Sequence, residues 1–351
     1  MDSTLAPSPT SVTERAPDVV TLEPSECEQL LALADELTVS PSEAPELFCR
    51  QAHRAARRAP DRLVELLADF AAKGTESGTM LLDRLPVDAL AGTVHSGGHA
   101  SELPPTPPDN RRHLGECTRL ARVQAIVNHA CGDMLAYAAE GYGRLYQDMV
   151  PNRALAQSQT SLGSRVELEL HTEQAFSRLR PNVLSLACLR GHPDAHTYVL
   201  PAHALLAQMN VFERKLLRQP LWMTGVDGSF RQNGNEFIEG DERGPLAIIE
   251  GDEEDPTIVF DQDLMRGLTD EAQALIGRVV EVYRAERRSV VLAPGQILLV
   301  DNVRSVHGRS PFTPHFDGRD RFIIRSFAVR DLVRTRYARP RNGRTIAAEY
   351  S

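Results

Sequence analysis

The chain reads as a mainly β protein with helices packed outside its sheets. Three observations predict this. From Glu23 to about Ala72, and again over 117–140, apolar residues recur at three- and four-residue spacing, the period of a helix with one buried stripe. Beyond Gln147, and as far as about residue 330, short apolar runs alternate with turns. Many short strands at modest spacing point to an antiparallel sandwich or barrel.

The elements follow in order. Residues 1–20 are rich in Pro, Ser and Thr and are expected to form a mobile tail. CEQLLALADEL carries a first helix, with Ser25 after Pro24 as its expected cap, and Leu63, Leu66, Leu67 and Phe70 continue the pattern. GTMLLDRLPVD (Gly78 to Asp88) reads as a strand ending at a proline. His95 and His99 stand four apart, but Gly97 and Gly98 argue against the helix that would align them, so they are read as loop residues without a metal role. Residues 117–140 carry Leu120, Ala121, Val123, Ile126 and Val127 at helical spacing. VELEL, VLSLACL, TYVL, PLAII, TIVFD, SVVLAP, QILLVD and RFIIRSFAV are the strand candidates. LTDEAQALIGRVVEVYRAE (268–286) is one more amphipathic helix, capped by Thr269. The Gly-, Asp- and Glu-rich stretch near 225–255 reads as a lid closing over a substrate or as a solvated loop. Residues 336–351 read as a solvated, arginine-bearing tail.

A chain of 351 residues that is 42% hydrophobic and 25% charged buries a core without disulfide staples. Its net charge of -9 argues against a nucleic-acid partner. The five cysteines (27, 49, 117, 131, 188) lie far apart, with no CxxC pair and an odd total, as free thiols in a reducing compartment do. No apolar run approaches the length of a membrane span, and no basic leader with an apolar run opens the sequence. A soluble cytoplasmic protein is expected, with its oligomeric state left open, a homo-oligomer included.

The chemistry concentrates at His171-Thr172-Glu173 and His307. In VELELHTE strict alternation puts Val166, Leu168 and Leu170 on one side of a strand and His171 and Glu173 on the other. Glu167 and Glu169 share the ligand side and are read as strand-end solvated groups or as groups behind the ligands. Two imidazoles and a carboxylate hold one face of a non-haem Fe(II) ion and leave three positions open. Arg321 and Arg325 follow His307 inside RFIIRSF. Positions 321, 323 and 325 share a strand face, so both guanidiniums are expected to enter one cavity. A buried arginine calls for an anion, and its planar fork suits a carboxylate. Two such arginines call for two carboxylates, one from 2-oxoglutarate and one from an amino acid. A zinc hydrolase or a non-catalytic metal-binding jelly roll would use the same three donors but gives the arginine pair no purpose. Asp261 and Asp263, after TIVF, are placed to converge on one ammonium group, and Glu140 lies between a helix and a glycine turn.

HTEQAFSRLRPNVLSLACLRG and DNVRSVHGRSPFTPHFDGRDRFIIR resemble the clavaminate-synthase-like branch of Fe(II)/2-oxoglutarate-dependent oxygenases, over roughly residues 75–335. AEGYGRLYQDMVP, SQTSLGSRVELELHTEQAF and VFDQDLMRG look most like hydroxylases of free L-lysine, and hydroxylases of free arginine are more distant. The resemblance implies a double-stranded β-helix (jelly-roll) core within one oxygenase domain over 21–335, helical to about 140 and jelly roll over 141–335. It implies Fe(II) on His171, Glu173 and His307, with 2-oxoglutarate and O2 as co-substrates. It gives the far carboxylate of 2-oxoglutarate to Arg321 and Thr197, and the substrate's α-carboxylate to Arg325. Asp261 and Asp263 would take the cationic side chain, with Glu140 and Ser161 also near the substrate. Related halogenases put a small residue where Glu173 stands, so hydroxylation of a side-chain carbon is expected, with C3 favoured over C4. Arginine, ornithine, citrulline or an oxidative cyclisation are the alternatives within the same chemistry.

Overall fold

The computed structural model describes residues 17–91, 103–226 and 241–348. Four helices, α1 (Pro24–Asp35), α2 (Pro45–Ala56), α3 (Asp61–Lys73) and α4 (Arg119–Cys131), build one outer layer. Pro24 occupies the first turn of α1, where a missing N–H costs nothing, and the Glu23 N–H donates to Glu26 Oε2 at 2.9 Å. Ser25 therefore sits inside the helix, and Glu23 holds the cap position expected of it. The helix expected over 117–140 stops at Gly132, because there the chain passes against the Val329 carbonyl and a Cβ would collide. Residues 133–137 continue as a strand.

The large sheet runs in the order β1 (Asp18–Thr21), β2 (Thr79–Asp83), β14 (Ile297–Asp301), β6 (Val183–Arg190), β16 (Phe322–Val329), β3 (Asp133–Tyr137), β17 (Thr345–Ile346), with β4 (Tyr146–Met149) also on β16. The small sheet runs β13 (Arg288–Val291), β7 (His196–Pro201), β15 (Ser305–Arg309), β5 (Leu168–His171). β8 (Trp222–Gly225), β9 (Glu242–Leu246) and β12 (Met265–Gly267) form a third sheet, and β10 (Ile249–Glu250) pairs with β11 (Thr257–Ile258). Helices α5 (Ala202–Ala207), α6 (Val211–Leu217) and α7 (Asp270–Glu286) lie between the strands of the smaller sheets in sequence. Thr269 caps α7 as expected, accepting from the Ala272 N–H at 3.2 Å.

Side chains sort the molecule into layers. Phe322, Ile324, Ala328 and Leu299 of the large sheet pack outward against α1 to α4. Gln124 and Asn128 of α4 bond to that sheet at Ser185, Ile324 and Ser326, which fixes the helix on it. On the opposite strand faces, Leu186, Leu298, Ile323 and Phe327 meet Val199 and Val290 of the small sheet. The small sheet's other face, with Leu170, Leu200 and Val306, packs on Trp222, α5 and α7.

Both expected tails overlap ordered strands. DVVT pairs in parallel with β2, so residues 18–20 of the expected N-terminal tail belong to the sheet, and residues 1–16 of it lie outside the described residues. At the other end β17 pairs with β3, Arg344 reaches Asp133 at 2.8 Å, and buried Arg339 donates to the Leu332 carbonyl at 3.0 Å. These arginines tie the segment down by protein oxygens instead of solvating it. His95, His99 and residues 227–240 of the expected lid lie outside the described residues, and on either side of the latter β8 and β9 pair with each other. No described helix is long and apolar enough to cross a membrane.

Candidate metal and substrate site

Asp301 and Asn302 form the corner that hands the chain from the large sheet to the small one, with Asp301 Oδ1 accepting from the Val303 and Arg304 N–H groups. The chain then returns as β15, a strand the sequence reading had not assigned, and brings His307 directly opposite His171 on β5. Their ring centroids are 4.3 Å apart, and His307 Nε2 lies 3.8 Å from Glu173 Oε2. One donor atom from each of His171, Glu173 and His307 falls within 4.8 Å of the others.

Two residues unnoticed in the sequence hold this arrangement. Thr172, between the two ligand positions, donates its N–H to the Phe260 carbonyl at 2.7 Å and accepts the Phe260 N–H on Oγ1 at 3.1 Å. Asn302 Oδ1 accepts the Glu173 N–H at 2.8 Å, and its Nδ2 donates to the Glu173 and Pro181 carbonyls at 3.1 and 2.9 Å. The available signals were small: the Thr inside HTE, and the Asp-Asn pair ahead of His307.

The donor chemistry fits a divalent ion. His171 Nδ1 is 2.7 Å from the Glu169 carbonyl. In the tautomer that donates there, Nε2 is left for a metal, with its ring fixed from behind. Burial first, then His171 and Arg325, push the His307 imidazole well below its ordinary pKa, which keeps it neutral, the form that ligates.

The strand geometry departs from strict alternation. His307 pairs with His171 but Arg309 pairs with Leu168, so β5 carries an extra residue opposite β15. This bulge turns Leu168 onto the same face as His171, and both line the cavity.

The two arginines also part company. Arg325, flanked on its face of β16 by Ile323 and Phe327, donates to both Glu173 oxygens at 3.2 Å and bonds to Glu140 and Gln147. It lines a cavity of about 210 Å³ together with His171 and Glu173, whereas Arg321 does not. The pairing of β16 with β6 slips by one residue between Phe322 and Ile323, and Arg321 precedes the strand. Arg321 lies deep between the sheets, its guanidinium 5.9 Å from the Phe312 ring centroid. Burial pushes it down to about 10, with Cys188 acting the other way. Among the described residues its guanidinium has no hydrogen-bond or ion-pair partner. Its neighbour Arg309, pushed down to about 9 by burial and by Arg321, donates to the Ser161 and Gly163 carbonyls at 3.0 and 2.7 Å. Thr197, buried on β7, sits across the pairing from Arg309.

The cavity itself is lined by Glu140, Ser161, His171, Glu173, Asp261, Asp263 and Arg325. Buried Glu140 accepts from Gln174 Nε2 at 2.8 Å in addition to Arg325. Asp261 Oδ1 accepts from the Asp263 and Leu264 N–H groups at 3.0 and 2.9 Å, and Asp261 forms a backbone bridge with His171. Thus seven of the ten residues singled out in the sequence share one cavity, with His307 beside it. Arg321 and Thr197 lie in the inter-sheet space.

No family model matches the chain. Among curated proteins it is 48% identical over 333 residues to the L-lysine 3-hydroxylase of Catenulispora acidiphila, covering 95% of this chain and 90% of that one. It is 30% identical over 320 residues to clavaminate synthase 2 of Streptomyces clavuligerus, covering 87% and 90%. The chain belongs to the clavaminate-synthase-like Fe(II)/2-oxoglutarate-dependent oxygenases. A solved member of this oxygenase family, asparagine oxygenase in complex with Fe(II), (2S,3S)-3-hydroxyasparagine and succinate, superposes with a TM-score of 0.83 at 29% identity, covering 94% of this chain and 99% of that structure.

Proposed function

We propose that this oxygenase hydroxylates C3 of free L-lysine, with 2-oxoglutarate and O2 consumed and succinate and CO2 released. The observation that carries this reading is the 48% identity to an L-lysine 3-hydroxylase over 95% of the chain, together with a cavity lined by His171, Glu173, Asp261, Asp263 and Arg325. His171, Glu173 and His307 would hold Fe(II). When bound there, Fe(II) with 2-oxoglutarate would supply the activation of dioxygen, one oxygen atom ending in succinate as CO2 is lost and the other in the substrate as hydroxyl. This chain's residues position the reactants. Arg321, buried without a counter-ion among the described residues, supports binding of the far carboxylate of 2-oxoglutarate, with Thr197 beside Arg309 adding a hydroxyl. Arg325 would share its guanidinium with the substrate's α-carboxylate. Glu140, already on Arg325, supplies the negative charge that an α-ammonium needs, and Ser161 lines the same wall. Asp261 and Asp263 would receive the side-chain ammonium, so the substrate is held at both ends. A full carboxylate at Glu173 leaves no position for a halide, which favours hydroxylation.

We further read the two facing sheets as a double-stranded β-helix (jelly-roll) core in a single oxygenase domain. The free, mostly buried cysteines support a cytoplasmic location. Incubation with Fe(II), 2-oxoglutarate and individual basic amino acids tests the proposal. Lysine should yield succinate and product in equal amounts, with NMR placing the hydroxyl on C3. Succinate formation with arginine or ornithine but not with lysine would transfer the reading to that substrate, and no coupled succinate with any of them would end it.

A further inference from the structure

The alternation of VELELHTE puts Glu167 and Glu169 on the side of His171, and only Glu169 enters the site. Glu167 and Glu169 are two apart on a regular strand and would share one environment. They do not. Glu167 turns to an ion pair with Arg287, while Glu169 lines the cavity with Asp261 and Asp263. Its backbone is held on both sides: the Glu169 N–H donates to Gln159 Oε1 at 3.3 Å, and its carbonyl faces His171 Nδ1 at 2.7 Å. Gln159, itself on the cavity wall, also donates to the Glu167 carbonyl at 2.9 Å. The Glu169 side chain is half-buried. Among the described residues no cation forms an ion pair with it.

Resting on the reading of the site as one for a free basic amino acid, we propose that Glu169 is a specificity-determining residue, the third carboxylate of a subsite built for a primary ammonium group. The chemistry that separates lysine from arginine lies in donor geometry. An ammonium is a compact charge with three N–H donors pointing in different directions, whereas a guanidinium is a planar fork whose donors lie in one plane. Two acids close together in sequence, such as Asp261 and Asp263, suit either group. A third acid from a different strand, fixed through its backbone, adds an acceptor in a further direction. That acceptor serves the third ammonium N–H, and a fork already engaged by Asp261 and Asp263 has no donor left for it out of its plane.

The test is Glu169→Gln, which keeps shape and removes the charge. Steady-state lysine turnover is measured in wild type and variant, with L-arginine added as a competitor, and the melting temperature checks folding. The variant should raise KM for lysine about tenfold, the usual scale of one lost charge-assisted hydrogen bond, and change the inhibition constant of arginine less than threefold. Glu169→Asp, which keeps the charge on a shorter arm, should fall between the two. A lysine KM within twofold of wild type, or equal losses for lysine and arginine, would overturn the role of Glu169 and leave the hydroxylase reading standing. Failure of wild type itself to turn over lysine would instead remove that reading and this inference with it.

Discussion

Asn302 is fully buried and its side chain makes three hydrogen bonds, two of them to the backbone of Glu173. Its amide therefore sets where one carboxylate donor begins. Asn302→Ala leaves the Glu173 N–H without a partner in the interior, a cost of about 1–3 kcal/mol. Loss of a group that orients a ligand also weakens metal binding about tenfold or more. Urea unfolding and a titration with Co(II) should both register the change, and a variant that unfolds like wild type and binds Co(II) equally well would dismiss Asn302 as a support. Thr172 and Asn302 also mark the limit of what the residues disclosed beforehand. The ligand types were legible, since a His-x-Glu at the end of an alternating run and a later His leave few other chemistries. What orients them was not, because Asn and Thr bond to almost any backbone, and only tertiary structure says which.

At the scale of the element, the pairing of β5 with β15 decides which side chains come together at His171 and His307. Gly308 lies beside His307 on the opposite face, and a Cβ there would fall 2.5 Å from Tyr283 Oη and 2.7 Å from the Leu168 carbonyl. The Leu168 contact comes from the bulge, so the glycine lets the irregular strand approach its partner. Gly308→Ala should destabilise the protein by about 1–3 kcal/mol through overpacking. Adding Tyr283→Phe should recover only part of that, because the carbonyl contact remains. Denaturant midpoints of the single and double variants measure both effects, and full recovery would assign the strain to Tyr283 alone. The bulge is also why the predicted alternation failed at Leu168: a period-two pattern holds only where the ladder is regular. On the other side of the cavity, Asp148 of β4 accepts the Leu114 and Gly115 N–H groups at 2.7 and 3.1 Å. It thereby ties to the sheet a loop whose residues 109–111 line the site. Burial raises Asp148 to about 7, against those two N–H groups. A carboxyl raised in the folded state stabilises fully below its unfolded value near 3.8 and loses that contribution as pH climbs through about 7. The stability of wild type relative to Asp148→Asn should therefore fall between pH 4 and pH 7 and level off above it. Melting temperatures of the pair at pH 5 and pH 8 give the sign, and a difference that is flat or rises with pH would contradict it.

The whole molecule is two sheets enclosing charges that they do not themselves neutralise. Arg309 and Arg321 lie close together between the sheets, one bonded only to carbonyls and the other without a partner among the described residues. A buried, unpaired cation is costly, so this arrangement weakens the empty protein and favours whatever anion completes it. Helices outside the sheets and apolar side chains between them were legible from periodicity. A shared strand face hid the separation of Arg321 from Arg325: positions four apart lie about 13 Å from each other along a strand, and only Arg325 lines the cavity. In the proposed function that separation would give each carboxylate its own cation, which makes a prediction about stability. With Mn(II) present in place of the oxidisable metal, 2-oxoglutarate at a hundred times its dissociation constant should stabilise the folded state by about 2.7 kcal/mol, or about 5 °C in melting temperature. Chelation of the metal should remove most of that shift. Arg321→Met replaces the unpaired cation with an apolar side chain of similar length, so the ligand-free variant should melt at or above the wild-type temperature. The 2-oxoglutarate-dependent rise should then disappear. If the variant still responded to 2-oxoglutarate like wild type, the anion would have to bind elsewhere, and the cost of burying Arg321 would need another explanation.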